Sequence, residues 1–139
     1  MNLWPPFVGA CIGIEYIAPD WRELRVGLKL RFYNHNNHGT HFGGNLFSMT
    51  DPFLVIMLTH LLGGGYQVWD QQASITFIKP GTGKVTTTFR ITEDVLEKIR
   101  LACQDGHKHL EEFEADILDT EGKAVASVRK IIYVRKKRR

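Results

Sequence analysis

The chain has 139 residues, of which 43% are hydrophobic and 24% are charged, as in a soluble globular domain rather than a disordered or fibrous protein. Its formal net charge of +3 depends on a basic run at residues 135–139, without which acidic residues outnumber basic ones, and nothing in the sequence predicts nucleic acid as a partner. The two cysteines, Cys11 and Cys103, lack metal-ligand spacing, so we expect a cytoplasmic protein with no metal and no cofactor.

Alternating apolar and polar residues predict most of the strands. The pattern is clearest after Glu23 and after Lys84, where every second residue packs inward and the others meet water. In chain order the strand-like segments are residues 10–18, 23–32, 66–79, 84–92, 109–118 and 123–134. Residues 119–122 predict the turn of a terminal hairpin.

Two segments have helical patterns. Residues 44–62 are apolar on nearly every side, so we expect a long central helix that is buried on all sides and ends at the glycines of residues 63–65. Residues 93–103 carry an apolar stripe and follow Thr92, a suitable N-cap. The prediction is an α+β domain over residues 1–134, an antiparallel sheet of five or so strands wrapped around the central helix, with a basic tail at 135–139.

The candidate site lies where a polar loop leads into the central helix, at residues 36–52. Asp51 is the only carboxylate of this helix, and an isolated acid in so apolar a segment costs stability unless it has a partner or a role. Gly43 and Gly44 would place backbone N–H groups at the helix start, where they can polarise a carbonyl. The stretch therefore predicts a site that polarises and attacks a carbonyl group.

Pro52 bears on the geometry of Asp51. A proline lacks the N–H that would bond to the Ser48 carbonyl, so we expect a kink at Asp51 with the freed Ser48 carbonyl beside the acid. Gly43 and Asp51 are eight residues apart in the sequence, roughly 12 Å along a helix, too far for the acid to attack a carbonyl at its own helix start. Two antiparallel helices would bring Asp51 of one chain to Gly44 of another, which predicts a dimer.

The loop and helix resemble the hotdog-fold acyl-CoA thioesterases of the PaaI-like type. Those proteins have the pattern Asn-x-x-Gly-x-x-His-Gly-Gly, with an Asp nine residues after the His. Here the pattern is filled by Asn36, Gly39, Phe42, Gly43 and Gly44, with Asp51 nine residues after Phe42. Two further segments, Val-Trp-Asp at residues 68–70 and Phe-Ile-Lys-Pro-Gly at residues 77–81, are similar to an uncharacterised domain-of-unknown-function branch of the same superfamily.

This resemblance implies a hotdog fold and an acyl-CoA or other acyl-thioester hydrolase. It also implies a homodimer or a dimer of dimers, with acyl-CoA bound at the subunit interface. By the same resemblance, Asp51 would be the general base or nucleophile, the Gly44 N–H would polarise the thioester carbonyl, and Asn36 would support the site. The expected substrate-binding residues are Gly43, His41, Phe42 and Ser48.

Phe42 stands where the resembled family has His, and a benzyl ring cannot donate the hydrogen bond of an imidazole. His41 could take that role from a shifted loop. Otherwise the chain would be a non-catalytic hotdog protein that binds acyl groups or acyl-CoA, or only a protein partner. A hotdog dehydratase or hydratase using His41 and Asp51 is a further alternative. His35, His38 and His41 could offer metal ligands by spacing, but their Asn- and Gly-rich loop favours solvated or site-lining histidines.

Three further expectations concern the rest of the chain. The longest apolar run, residues 53–58, is too short to span a bilayer, so no membrane insertion is expected. Trp69 and Phe77 are expected in the core or in the wall of an acyl pocket. Basic residues such as Arg129, Lys130 or the tail are candidates for holding CoA phosphates.

Overall fold

The computed structural model describes residues 11–30 and 43–137. In this part of the chain the elements are β1 (Ile12–Ile17), β2 (Glu23–Leu28), α1 (Gly43–Ser48), α2 (Phe53–Leu62), β3 (Tyr66–Phe77), β4 (Val85–Arg90), α3 (Glu93–Ala102), β5 (His109–Leu118) and β6 (Ala124–Lys136). Each strand begins and ends within a few residues of a segment that the alternation of apolar and polar residues predicted. The α3 helix begins as predicted, because the Thr92 hydroxyl accepts a hydrogen bond from the Val95 N–H at 3.3 Å.

The described strands form one antiparallel sheet in the order β1-β2-β4-β5-β6-β3. The β5–β6 hairpin closes at Asp119, whose Oδ1 accepts the N–H groups of Glu121 and Lys123, both at 2.9 Å. The sheet packs on the α1 and α2 segments, so the predicted α+β architecture is confirmed. The last strand runs through Lys136, two residues into the segment predicted as a basic tail.

The core lies between the inner face of the sheet and the α2 helix. Phe53, Leu54, Met57 and Leu58 of α2 are buried there, and the Phe53 ring packs 6.0 Å from the Phe89 ring of β4. The prediction that the central helix is buried on all sides is wrong. Its other side is exposed at Gly44, Ser48, Asp51, Thr59 and His60.

The central helix is divided at Asp51-Pro52, where a kink was predicted, and this peptide bond is cis. Two tight turns join the two helical segments: the Thr50 N–H donates to the Phe47 carbonyl at 3.1 Å and the Asp51 N–H donates to the Ser48 carbonyl at 3.2 Å. The Ser48 carbonyl is therefore not free, contrary to prediction. The tighter i to i−3 pairing lets the Asp51 amide replace the missing Pro52 donor.

Gly43–Leu62 is, among the described residues, the one helical span long and apolar enough to cross a membrane by length and composition. It is 20 residues long, and 39% of its apolar window is buried inside the domain. Since Phe53, Met57 and Leu58 of this span lie at the centre of the core, it is the core helix of the domain.

The β3 strand lies at one edge of the sheet. In the described part of the chain this strand of 12 residues pairs only with β6. Trp69 and Phe77, predicted as core or pocket-wall residues, are exposed on it. Odd-numbered positions in the first half of β3 face away from the helix, so the Trp69 side chain lies on the outer face of the sheet. There it stacks on Tyr133 of β6, with ring centroids 4.0 Å apart.

Glu111 ties the surface helix to the sheet. Its buried carboxylate on β5 receives the Lys98 ammonium of α3 at 2.6 Å and the His109 ring nitrogen at 2.8 Å. A buried carboxylate is tolerated when it is paired and hydrogen-bonded, as here. The pairing therefore fixes where α3 sits against β5.

We expect Glu111→Ala to lower the free energy of unfolding by about 2 kcal/mol, because it removes both bonds to a buried carboxylate. Glu114→Ala, an exposed acid on the same strand, should change it by less than about 0.5 kcal/mol. Urea unfolding followed by circular dichroism measures both. Equal midpoints for the two variants would show that the buried pairing does not stabilise the domain.

Candidate active site

A pocket of about 410 Å³ opens between the helix break and the β3–β6 pair. Its volume lies within the range of small-molecule binding sites. The residues that line it are Gly44, Phe47, Ser48, Asp51, Asp70, Ala73 and Lys130. Three of the residues predicted for the site, Gly44, Ser48 and Asp51, are thus brought together, while Gly43 does not line the pocket.

One wall of the pocket is the exposed stripe of the central helix. Gly44 and Ser48 are four residues apart on α1, which places them on one side of that helix, and Asp51 follows in the turn after it. The Ser48 hydroxyl donates to the Gly44 carbonyl at 2.8 Å, so it is directed along this stripe. Because Gly44 and Asp51 of one chain line the same pocket, their separation along the helix does not by itself require a second subunit.

The opposite wall depends on a β-bulge in β3. Asp70 pairs with Ile132 and Ala73 pairs with Lys130, and the register shifts between Asp70 and Gln72. In a regular strand two residues three positions apart point to opposite faces. The extra residue at the bulge places Asp70 and Ala73 on the same, helix-facing side.

Lys130 is the buried cation of this pocket. Its side chain is 2% exposed, and its Nζ lies 3.4 Å from Asp70 Oδ2 and 3.8 Å from Asp51 Oδ1. The sequence suggested a phosphate-binding role for this residue or for Arg129. Arg129 instead lies on the outer face, paired with Glu112, and Lys130 is turned inward towards two carboxyl groups.

Sequence reasoning missed the role of Lys130 and did not select Asp70. A signal for Lys130 was present, because Val128, Lys130 and Ile132 occupy alternate positions of a strand and must share one face. A lysine on a core face needs an acidic partner. The partner Asp70 could not be found in this way, since the bulge after it breaks the alternation of β3.

Asp70 has an unusual environment. Burial raises the pKa of its carboxyl above the usual value; the Lys130 charge opposes this rise, and the hydrogen bond and charge of the neighbouring Asp51 carboxyl add to it. Its Oδ1 is buried and has no hydrogen-bond partner among the described residues. A carboxyl whose pKa is raised in a pocket is typical of functional sites.

Several predicted site residues lie outside the described part of the chain: Asn36, His41 and Phe42, together with His35 and His38. Their assigned roles stay predictions. Gly43 begins α1, and a Cβ built on it would lie 2.9 Å from the Phe77 ring. A side chain at this position would require the exposed Phe77 ring to shift.

A sequence-family model described as "Domain of unknown function (DUF4442)" matches residues 1–134. The chain belongs to this family. The match covers the whole of the described pocket and agrees with the predicted domain-of-unknown-function branch. A comparison with curated proteins finds no significant match.

Solved structures with the same fold include proteins described as thioesterases. A probable thioesterase from Pseudomonas aeruginosa superposes with a TM-score of 0.84 at 15% identity, over 96% of this chain and 89% of that one. A proposed thioesterase from Shewanella oneidensis gives 0.73 at 21% identity, over 96% and 90%. A thioesterase from Haemophilus influenzae gives 0.68 at 14% identity, over 94% and 82%. At these identities the likeness establishes the hotdog fold of this DUF4442 chain.

We expect Lys130→Met to lower the free energy of unfolding by about 2 kcal/mol at pH 7, because it leaves two carboxyl groups without their buried cation. Since the pKa of Asp70 is raised in the folded protein, the native state binds its proton more tightly than the unfolded chain does, and stability falls as pH rises above the usual Asp range. Lys130→Met removes the charge that opposes this rise in pKa. The loss of unfolding free energy in the variant should therefore shrink when thermal unfolding is repeated at lower pH.

Arg129→Met is the matched control for that prediction, because the neighbouring residue lies on the exposed face of β6. It should cost less than Lys130→Met at pH 7, because an exposed ion pair contributes little. Its loss should change with pH only slightly, through the exposed Glu112 carboxyl, whose pKa Arg129 lowers. Similar losses in the two variants at every pH would contradict the assignment of Lys130 as the cation that neutralises the pocket.

Proposed function

We propose that this protein hydrolyses acyl-thioesters, with acyl-CoA as the substrate, in the pocket lined by Gly44, Ser48 and Asp51. The observation that carries the proposal is the position of Asp51. The lone acid of the central helix lies at a break in that helix, lines the pocket, and has a side chain that is 61% exposed. It is therefore accessible to a water molecule or a bound carbonyl, in a fold shared with proteins described as thioesterases.

The proposed chemistry uses the helix wall of the pocket. Asp51 takes a proton from the attacking water or attacks the thioester carbonyl directly. The Gly44 N–H, which an α-helix beginning at Gly43 does not use internally, polarises the carbonyl oxygen. The C–S bond then breaks and the thiol leaves. Asn36, His41 and Phe42 are proposed to complete the site from the preceding loop.

The proposal of CoA as the acyl carrier rests on the resemblance to acyl-CoA thioesterases, and the charge distribution supports it. Gln67, Arg135, Lys136 and Lys137 surround a second pocket, of about 590 Å³, at the far end of the β3–β6 pair. Lys130 and Lys136 are six residues apart on β6, which corresponds to roughly 20 Å along a strand. Gln67 and Arg135 lie on the outer face of the sheet, so a long carrier would pass the end of β6 to bring its phosphates to this basic pocket.

A homodimer belongs to the same proposal. The β3 edge, 12 residues long and paired with β6 alone in the described part of the chain, offers backbone groups to a second strand. The exposed stripe at Gly44, Ser48 and Asp51 lies beside that edge. A second copy paired at β3 would cover the stripe.

The test is thiol release from a panel of acyl-CoA substrates. We expect turnover by the wild type and a fall in kcat of at least about 100-fold in Asp51→Asn and Asp51→Ala, because both remove the only helix carboxylate. Asp94→Asn, an exposed acid of α3, is the matched control and should retain wild-type rates.

Other outcomes of this panel would support the rival functions. Tight acyl-CoA binding without turnover would favour the non-catalytic binder, for which Phe42 in place of His is the supporting observation. Hydration of crotonyl-CoA without thiol release would favour the dehydratase. Activity that survives both substitutions would remove Asp51 from the chemistry.

We expect the active species to be a dimer in solution, because the pocket is proposed to be completed at the β3 edge. Sedimentation at the concentration of the activity assay should give twice the chain mass of 15.9 kDa. A strictly monomeric protein with full activity would contradict the dimeric site and leave the hydrolysis itself intact.

A further inference from the structure

The proposed reaction gives no role to Asp70, although this residue lines the pocket. Its carboxyl and the Asp51 carboxyl both face the buried ammonium of Lys130, whose Nζ lies 3.4 Å from Asp70 Oδ2 and 3.8 Å from Asp51 Oδ1. Two acids and one base thus meet on one side of the pocket. How a proton is distributed among them determines which oxygen can act on a substrate.

The charges of this cluster do not balance when both carboxyl groups are ionised. One ammonium would then face two carboxylates, and two carboxylates held against the same ammonium repel each other. A single proton on either carboxyl removes the repulsion and leaves one positive and one negative charge. It also provides the hydrogen that a carboxyl–carboxylate contact requires.

Burial indicates which carboxyl holds that proton. The Asp51 side chain is 61% exposed, whereas the Asp70 side chain is 26% exposed, and Asp70 Oδ1 is buried without a partner among the described residues. Water can solvate a charge on Asp51, but a charged oxygen buried without a donor costs free energy. The proton therefore belongs on Asp70 and the negative charge on Asp51.

Two charged groups of the described chain act on Asp70. Lys130 faces it from β6 and Asp51 faces it from the turn before α2. The other pocket residues that surround it, Ser48 from α1 and Ala73 from β3, do not titrate. Burial raises the pKa of Asp70 more than Lys130 lowers it, and Asp51 raises it further, in the direction that the geometry requires.

We propose that Asp70 is a positioning residue. Its protonated carboxyl donates a hydrogen bond to the Asp51 carboxylate, and the Lys130 ammonium contacts both carboxyl groups. The pair keeps the negative charge on Asp51 and fixes its orientation towards the pocket. This inference rests on the proposed function, in which Asp51 is the group that acts on the thioester. Asp70 keeps its proton throughout the reaction.

Substitution of Asp70 separates a neutral donor from a charged acid. Asparagine has the shape of a protonated Asp and can donate an N–H bond to Asp51. Asp70→Asn should therefore keep kcat within about threefold of the wild type, whereas Asp70→Ala, which lets Asp51 move, should lose about 10- to 100-fold in kcat with little change in KM. Asp116→Asn, an exposed acid of β5, is the control.

The comparison with Asp51→Asn decides the outcome. If Asp70→Asn is as inactive as Asp51→Asn while its thermal unfolding is unchanged, Asp70 is needed as a carboxylate and the proposal is wrong, although the hydrolase function stands. If Asp70→Ala is as active as the wild type, Asp70 does not position Asp51, and the proposal is equally wrong. If Asp70→Ala does not fold, the comparison of Asp70→Asn with Asp51→Asn is sufficient to test the proposal.

A second measurement does not depend on turnover. In protein labelled with ¹³C at aspartate, the Asp70 carboxyl, assigned from its loss in Asp70→Asn, should keep its proton above the usual Asp range. Its pKa should fall in Asp51→Asn and rise in Lys130→Met, since Asp51 raises it and Lys130 lowers it. An ordinary titration, unchanged by Asp51→Asn, would overturn the proposal even if the wild type hydrolyses thioesters. If the protein has no hydrolase activity but the pKa of Asp70 shifts in both variants, the proposed hydrogen bond between Asp70 and Asp51 stands while the proposed function does not.

Discussion

The structure of the site depends on one buried ammonium group. Lys130 lies on β6, which pairs with β5 on one side and with β3 on the other, so its backbone is held by hydrogen bonds to both neighbouring strands. An ammonium in that position needs anionic partners, and these come from two other elements: Asp70 from β3 and Asp51 from the break in the central helix. The same contact therefore links the helix to the sheet and sets the charge of the pocket. Stability and chemistry are coupled here, because a change in any of the three groups alters both.

The break in the central helix gives Asp51 its exposure. Within a continuous helix its neighbours would be apolar residues, and the fold would bury most of them. The turn at Thr50 and Asp51 instead uses tight backbone bonds, so the buried face resumes at Phe53 while Asp51 stays at the surface. Exposure on one side of the helix and an edge strand beside it leave an area of the domain that is concave and adjacent to backbone groups able to pair.

Sequence reasoning found the elements whose pattern is periodic and the acid that interrupts a pattern. The strands followed from alternation, α3 from its stripe and from the Thr92 cap, and Asp51 from being a lone carboxylate in an apolar helix. It was wrong about the full burial of that helix, because apolar composition does not show which side lacks a partner within the chain. Asp70 was not selected because an irregularity of pairing, which has no residue signature, decides where its side chain points. Lys130 was grouped with surface bases because its charge, rather than its place in the β6 alternation, was considered.

The bulge in β3 changes which positions of the strand face the helix. Before it the even positions, such as Val68 and Asp70, face the helix, and after it the odd positions, such as Ala73 and Ile75, do so. Removing one of the two residues between Asp70 and Ala73 would leave these side chains two positions apart, so both would still face the helix in a regular ladder. A lineage could therefore gain or lose the bulge through a single codon insertion or deletion and keep the acid pair beside Lys130. Such a change would alter the local twist of the β3 edge, where a second strand can pair.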